Sequence, residues 1–274
     1  MKSQFKFPLF LYSYNAIMGE TLTRRLIYML DAFANNWTIL VISFFIYSFC
    51  GWIWESLICP IATGHKIHNS GFLTGPCIPI YGSGAIVVCA LFPVSKDWSL
   101  IFIEGAIVAC FIEYLTSYFM EKMFHARWWD YSQMRFNLNG RICLEGFFIF
   151  GFFSVTAVKN VQPHLTHMLI QYDYIPMVIA STVCITLFTS DLITTFVEAT
   201  HLAKKLETVS QDLKKFADEL ELDIHNDITT DDIFKIARQL KDSHREHLIK
   251  KYSHRRLVKA FPDILNKYHA KTQK

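Results

Sequence analysis

Long apolar stretches constrain this chain more than any other feature of its sequence. Five stretches of about twenty or more mostly apolar residues, each long enough for a helix to cross a hydrocarbon core of about 30 Å, occur at 36–59, 75–94, 98–124, 140–159 and 175–198. They are continuous, whereas the strands of a membrane barrel alternate between polar and apolar residues. We therefore predict an all-α fold: a polytopic membrane helical bundle with about five transmembrane helices.

Charge divides the chain into regions. Residues 1–198 contain 11 Lys and Arg against 12 Asp and Glu, whereas residues 199–274 contain 16 against 12. The formal net charge of +3 indicates no nucleic-acid partner. We expect an N-terminal interfacial or flexible segment at 1–35, a transmembrane bundle at 36–198 and a helical, basic tail at 199–274. Lys and Arg near the span ends are more numerous on the side of the tail, which predicts a cell-membrane protein with a cytosolic C-terminus.

The cysteine and histidine patterns give little indication of a metal site. The seven cysteines lie in or beside the spans without a CxxC pair, as is typical of buried apolar thiols. Three HxxH spacings are weak signals, because a tetrahedral site needs more ligands nearby. We expect no metal and no cofactor.

Ionisable residues within the apolar stretches are the first indication of function. An acidic side chain in a span is costly and usually faces the bundle interior or a cavity. This chain has several, among them Glu55, Glu104, Glu113, Glu121, Glu145 and Asp191. Glu113, Ser117 and Glu121 recur every four residues, so they share one helical face. Glu145 follows Arg141 by four residues and could pair with it. The pattern is compatible with a salt-bridge network that orients helices and with a functional polar cavity.

Two segments between the spans are also unusual. Residues 68–84 hold two prolines and four glycines at membrane depth, which indicates either a broken helix of the kind that forms transporter sites or a kinked entry into an ordinary span. Residues 127–141 combine charged and aromatic side chains, which exceeds what an aromatic belt needs. Asn137 or Asn139 is expected to cap the fourth membrane helix.

Four ordered motifs carry a resemblance to a known family. They are GWIWES at 51–56, GFLTGPCIPIYGSGA at 71–85, EYLTSYFMEKMFHARWWDYS at 113–132 and FNLNGRICLEG at 136–146. Together they resemble the bacterial Putative ABC-transporter type IV permease-like proteins over roughly residues 37–160. The resemblance implies a polytopic membrane protein with a role in transport.

The resemblance and the intramembrane positions together predict a set of candidate cavity or substrate residues. These are Glu55, Asn69, Pro76, Pro79, Tyr81, Glu113, Glu121, Trp129, Asp130, Asn137 and Arg141.

Three functions are compatible with this set. The favoured one is a transporter permease-like subunit with an unspecified substrate, and because the 274 residues contain no GxxxxGK[ST] loop, its ATPase would be a separate subunit. One alternative is a membrane-embedded enzyme for a lipid-linked substrate, with Glu113 or Asp130 as general base and Arg141 binding phosphate. It is less favoured because no familiar catalytic constellation is present. The other alternative is a non-catalytic membrane scaffold.

The tail suggests further partners besides membrane lipids. A heptad seam with spacing 4, 3, 4, 3, 4 is formed by Leu202, Leu206, Val209, Leu213, Phe216 and Leu220. It predicts a homodimer, docking onto a partner helix, or a helix that folds back on the tail.

Overall fold

A computed structural model describes residues 22–64, 67–124 and 127–219 of the chain. For residues 22–36 and 205–219 it describes the helical backbone alone. Most of the predicted N-terminal segment, and Leu220 with the rest of the tail, lie outside the described residues.

Helices dominate the described chain. The elements in chain order are α1 (Leu22–Ile53), a π-helical turn (Trp54–Ile58), α2 (Cys59–Thr63), α3 (Pro79–Leu91), α4 (Trp98–Phe124), β1 (Asn137–Leu138), β2 (Ile142–Cys143), α5 (Leu144–Thr156), a second π-helical turn (Ala157–Val161), α6 (Gln162–Leu169) and α7 (Tyr174–Glu219). The two short strands pair antiparallel, with Asn137 opposite Cys143 and Leu138 opposite Ile142. The sequence did not indicate this hairpin or the π-helical turns.

Four helical segments among the described residues are long and apolar enough to cross a membrane: Trp37–Ala62, Trp98–Phe124, Leu144–Leu169 and Tyr174–Leu202. The predicted helical membrane fold is confirmed. The stretch at 75–94 differs from the other predicted spans, since its helix α3 has only 13 residues. At about 1.5 Å per residue, α3 is roughly 20 Å long, which is shorter than a hydrocarbon core. Residues 75–78 at the start of the stretch are not helical: they contain Pro76, and Asp191 binds the Gly75 N–H.

The division into regions at 35/36 and 198/199 stays a prediction. The backbones of α1 and α7 continue through these positions as helix. Leu202, the first residue of the heptad seam, is buried. All seven cysteines are free thiols.

The helices contribute to two compact units, which are considered separately. The first comprises Met1–Cys50, Pro79–Ala109 and Phe147–Phe188. Its described apolar core consists of Tyr47, Val88, Cys89, Phe92, Ile101, Ala157 and Val158.

Close packing in the first unit depends on small residues, as is common between membrane helices. A Cβ on Gly105 would lie 2.5 Å from Cβ of Ser154, and a Cβ on Gly151 would lie 2.8 Å from the Phe102 ring. These paired positions bring α4 and α5 together. Gly82 brings α3 equally close to α1, since a Cβ there would lie 2.6 Å from the carbonyl oxygen of Phe44.

Polar groups in the first unit bind one another. Nζ of Lys159 donates to the carbonyl oxygens of Val94 and Lys96, which follow the end of α3. The Lys96 ammonium in turn pairs with Glu104. These contacts satisfy two lysines and a carboxylate that lie within or beside apolar helices.

The second unit comprises Gly51–Ile78, Cys110–Gly146 and Thr189–Lys274, described through residue 219. Its apolar contacts centre on Phe124, whose ring lies 5.9, 5.4 and 5.3 Å from those of Phe72, Trp128 and Phe196. This aromatic cluster joins the irregular segment after α2 to the end of α4 and to α7. Nine of the eleven candidate residues lie in this unit, and the other two, Pro79 and Tyr81, lie in the first.

Candidate functional site

The polar face of α4 binds the segment that connects α4 to α5. The Tyr131 hydroxyl lies 3.3 Å from Oε1 of Glu113, and Nη1 of Arg141 donates to Oγ of Ser117 at 3.3 Å. One turn later, Oε2 of Glu121 lies 2.7 Å from Nη2 of Arg141. Each member of the four-residue repeat therefore has a partner in residues 127–143.

Four charges form a continuous network at the end of this face. Besides Arg141, Glu121 has Nε of Arg127 at 3.5 Å, and Nη1 of Arg127 lies 3.4 Å from Oδ1 of Asp130. The four side chains are between 8% and 16% exposed, so their pairing is only weakly screened by water. The network holds two positive and two negative charges and is neutral as a whole.

Aromatic rings complete the surroundings of Arg141. Its guanidinium carbon lies 5.5 Å from the centre of the Tyr114 ring and 5.6 Å from that of Tyr118. Both distances are within the range of cation–π attraction. Arg141 follows a turn and precedes α5, so the expected helical pairing with Glu145 does not form, and Arg141 pairs with Glu121 instead.

Asn137 organises the loop and does not cap the following helix. Its amide nitrogen donates to the carbonyl oxygen of Met134 at 2.8 Å, and its side-chain oxygen accepts the Gly140 N–H at 2.9 Å. Asn139 donates to the Tyr114 hydroxyl. The capping prediction was wrong because strand β2 lies between these residues and α5, which begins at Leu144.

Gly140 allows the loop to close on the charge network. Its φ of +66° lies in the left-handed region, and a Cβ there would lie 2.5 Å from Oδ1 of Asp130. Its carbonyl oxygen accepts the Tyr131 N–H at 2.8 Å. The indole of Trp129 donates to the carbonyl oxygen of Arg141 at 3.2 Å, which holds the next residue in the chain.

Glu113 differs from Glu121 in its surroundings. It is buried in the middle of α4, and no ion pair among the described residues includes it. Its hydrogen-bond partner, Tyr131, is a neutral hydroxyl. Burial raises the pKa of Tyr131 well above its usual range, and the negative charges of Glu113 and Glu55 raise it further. Tyr131 thus stays protonated and able to donate.

Asn69 fixes the irregular segment before α3. Its side-chain oxygen accepts the Trp52 indole N–H at 2.9 Å and the Gly71 N–H at 3.0 Å. Its amide nitrogen donates to the carbonyl oxygens of Leu73 and Thr74 at 3.3 and 2.9 Å. One side chain thereby satisfies backbone groups that a helix would otherwise pair.

Asp191 binds the same segment from α7. Its two carboxylate oxygens accept the N–H groups of Thr74 at 3.0 Å and Gly75 at 2.8 Å. The Thr195 hydroxyl donates to the same carboxylate at 3.2 Å. Asp191 thereby satisfies two adjacent backbone donors in the non-helical segment that precedes α3.

Comparison with known proteins gives one result. The family model for Putative ABC-transporter type IV matches residues 42–196. The chain belongs to this family. No curated protein and no solved structure matches it.

The family match covers all eleven candidate residues, and the structure brings some of them together. The second unit joins Glu113, Glu121, Asp130 and Arg141 through contacts of the 127–143 segment, in which Trp129 and Asn137 hold the backbone. Glu55 lies in the first π-helical turn, where its carbonyl oxygen accepts the Ser70 hydroxyl at 3.1 Å. Asn69 and Pro76 belong to the irregular segment bound by Trp52 and Asp191.

The remaining candidates lie in the first unit. Pro79 is the first residue of α3, and the Tyr81 ring packs edge-on against Phe153 at 6.4 Å. Within the described residues, no group of three or more His, Cys, Asp or Glu side chains could hold a metal ion.

Three residues that make these contacts are not among the eleven candidates predicted from the sequence. Tyr131 is not among the candidates that the sequence predicts, although its hydroxyl is the hydrogen-bond partner of Glu113. Asp191 was noted only as an acidic residue in a span, although it anchors a segment 116 residues earlier. Trp52 lies in a motif of the resemblance but gave no signal of its contact with Asn69.

Proposed function

We propose that the chain is a permease-like membrane subunit of an ATP-driven transporter, and that Glu113 contacts the transported solute. The observation that carries the proposal is a buried carboxylate in an apolar helix whose hydrogen-bond partner is a neutral hydroxyl. A carboxylate at such a position is costly and is by default assigned to function. Membership of the family supports transport as that function.

The charge balance supports Glu113 in preference to the nearby network. Glu121 and Asp130 are matched by Arg127 and Arg141, so these four residues stabilise the fold without needing a ligand. Glu113 instead presents a buried carboxyl group whose hydrogen-bond partner is the Tyr131 hydroxyl. We infer a solute that carries a cationic or hydrogen-bond-donating group, taken up through a polar intramembrane pathway.

Energy would come from a separate ATPase subunit. The 274 residues contain no phosphate-binding GxxxxGK[ST] loop, whereas ATP-driven transport requires one. An ATPase acts on the cytosolic side, so the proposal places it on the side of the basic C-terminal tail.

The test compares two carboxylates of α4 in the assembled system. The protein is purified with its associated ATPase, reconstituted in vesicles, and assayed for ATP-dependent uptake of radiolabelled polyamines, amino acids and choline. We expect Glu113→Gln to abolish uptake at normal abundance, while Glu104→Gln, a paired and partly exposed control, transports as the unmodified protein does. Absence of an associated ATPase together with absence of uptake would contradict the proposal.

The charge network favours one other function, that of a scaffold. Every charge of the network is paired with another charge within residues 121–141. A scaffold would need these residues only to order the bundle. If Glu113→Gln lowers abundance as strongly as Glu121→Gln does, the scaffold is supported. An enzyme that uses Arg141 to bind phosphate is less favoured, because Glu121 and Ser117 already engage its guanidinium.

A further inference from the structure

The hairpin formed by β1 and β2 has two chemically different faces. Asn137 and Cys143 are opposite each other, and Cys143 is buried while Asn137 is bound to the loop backbone. Since side chains alternate along a strand, the paired Leu138 and Ile142 point to the opposite side. Phe136 and Leu144 extend this side, because the Leu144 N–H donates to the Phe136 carbonyl oxygen.

We call the side formed by Phe136, Leu138, Ile142 and Leu144 the outer face. It is apolar and largely uncovered: Phe136 is 80% exposed, Leu138 56% and Leu144 41%. Its residues alternate along the chain with exposed polar residues or follow them closely, among them Gln133, Arg135 and Asn139. A contiguous apolar surface with a polar rim indicates contact with a partner or a membrane.

Backbone hydrogen bonds and one strained residue fix the conformation of the outer face. Phe136 has a φ of +54°, a conformation that is rare for a bulky residue. The Arg141 N–H donates to the Leu138 carbonyl oxygen, and Asn137 binds both Met134 and Gly140. The exposure of Phe136 is therefore a property of a tightly bonded loop, and a change of side-chain rotamer would not remove it.

We propose that the outer face is embedded in the interfacial layer of the lipid bilayer. The hairpin ends at Cys143, and the next residue, Leu144, begins a membrane-spanning segment. Leu144 thus belongs both to the outer face and to the span. Exposed Phe119 and Met123 lie in the last turns of α4, where the chain enters this segment. The outer face is therefore continuous along the chain with two helices that are long and apolar enough to cross the bilayer.

The unpaired backbone groups at the edges of the hairpin limit how deeply it can enter the bilayer. Only two residues of each strand are paired, and unpaired backbone groups are excluded from the hydrocarbon core. Amphipathic elements penetrate about 5–10 Å, to the boundary of headgroups and acyl chains. At this depth Phe136 and Leu138 reach the upper acyl carbons, and the exposed Arg135 reaches the lipid phosphates.

The experiment measures which solvent reaches the outer face in vesicles. A fluorescent amino acid is encoded at position 136, at 138, or at 133 as the matched control on the polar rim. The full chain is reconstituted in vesicles of phosphatidylcholine and phosphatidylglycerol. Quenching is recorded with lipids that carry a nitroxide at acyl carbon 5 or carbon 12, and with aqueous iodide.

We expect the carbon-5 lipid to quench the labels at 136 and 138 at least twofold more strongly than it quenches the label at 133. At 136 and 138, the carbon-5 lipid should also quench more strongly than the carbon-12 lipid does. Iodide should quench the label at 133 more strongly than the labels at 136 and 138. Iodide quenching at 136 and 138 equal to that at 133 would place the outer face in water and overturn the proposal. Protection from all quenchers would also overturn it, since a second copy or another protein would then cover the face. Using two positions retains the test if one labelled protein fails to fold.

Discussion

The ion pair of Glu121 and Arg141 allows a quantitative prediction. Breaking a fully buried pair by removing one partner costs about 3–5 kcal/mol. The two side chains are 16% and 10% exposed, and Glu121 keeps Arg127 as a second partner. We therefore expect Arg141→Met to lower the free energy of unfolding by about 2–3 kcal/mol, a part of which is the unpaired Glu121 charge.

A double-mutant cycle isolates the pairwise contribution. Glu121→Gln, Arg141→Met and the double variant are unfolded in mixed micelles by titration with dodecyl sulfate and followed by circular dichroism. We expect a coupling energy of about 2 kcal/mol, because the pair lies in a region of low dielectric.

The control cycle uses Lys96 and Glu104, whose side chains are 22% and 43% exposed. Its coupling energy should be about 0.2–1 kcal/mol, as for other exposed pairs. If the Glu121–Arg141 coupling energy does not exceed that of the control, the network does not stabilise the second unit by buried charge pairing.

Three further predictions concern other parts of the chain. Gly82→Ala should lower the free energy of unfolding by about 1–3 kcal/mol through overpacking against Phe44. Gly84→Ala is the control and should leave it unchanged, because a Cβ there meets nothing within 4 Å. Equal effects of the two variants would contradict the close packing of α3 at Gly82. Asn69→Ala should speed amide hydrogen exchange in residues 67–78 more than the exposed control Ile67→Ala does, and unchanged exchange would refute the role of Asn69. The pKa of Tyr131 is raised in the native state, so its stabilising effect is present below the unfolded value of about 10 and lost as the pH rises above it. The free energy of unfolding should therefore fall less between pH 9 and 11 in Tyr131→Phe than in the unmodified protein, and identical slopes would contradict this.

Local sequence patterns predicted those parts of the fold that depend on local physics. Continuous apolar runs identified the four spanning helices, because hydrophobicity and length alone decide whether a helix can cross a bilayer. The four-residue repeat from Glu113 to Glu121 was correctly placed on one face of α4. The first result follows from hydrophobicity and length and the second from the helical period, so neither needs knowledge of what the helix contacts.

Contacts between residues far apart in the sequence could not be predicted in this way. Arg141 has a carboxylate four residues later, yet it pairs with Glu121, twenty residues earlier, because a turn and strand β2 separate it from α5. The irregular start of the 75–94 stretch depends on Asp191, which no period connects to Gly75. Prolines and glycines indicated that the helix would break there, but the group that stabilises the break was not evident from them.

The two acidic residues of the polar α4 face, Glu113 and Glu121, have different partners in the structure and therefore different expected roles. Glu113 and Glu121 have the same side chain, lie on one helical face and were equivalent candidates in the sequence. Glu121 contacts both arginines of a neutral network, so neutralising it should disturb the fold first. Glu113 has the neutral hydroxyl of Tyr131 as its hydrogen-bond partner, so a Gln at this position keeps an oxygen that can accept from Tyr131 and should be tolerated by the fold. A loss of transport at normal abundance in Glu113→Gln would consequently report on the solute, whereas the same loss in Glu121→Gln would report on the arrangement of residues 127–143.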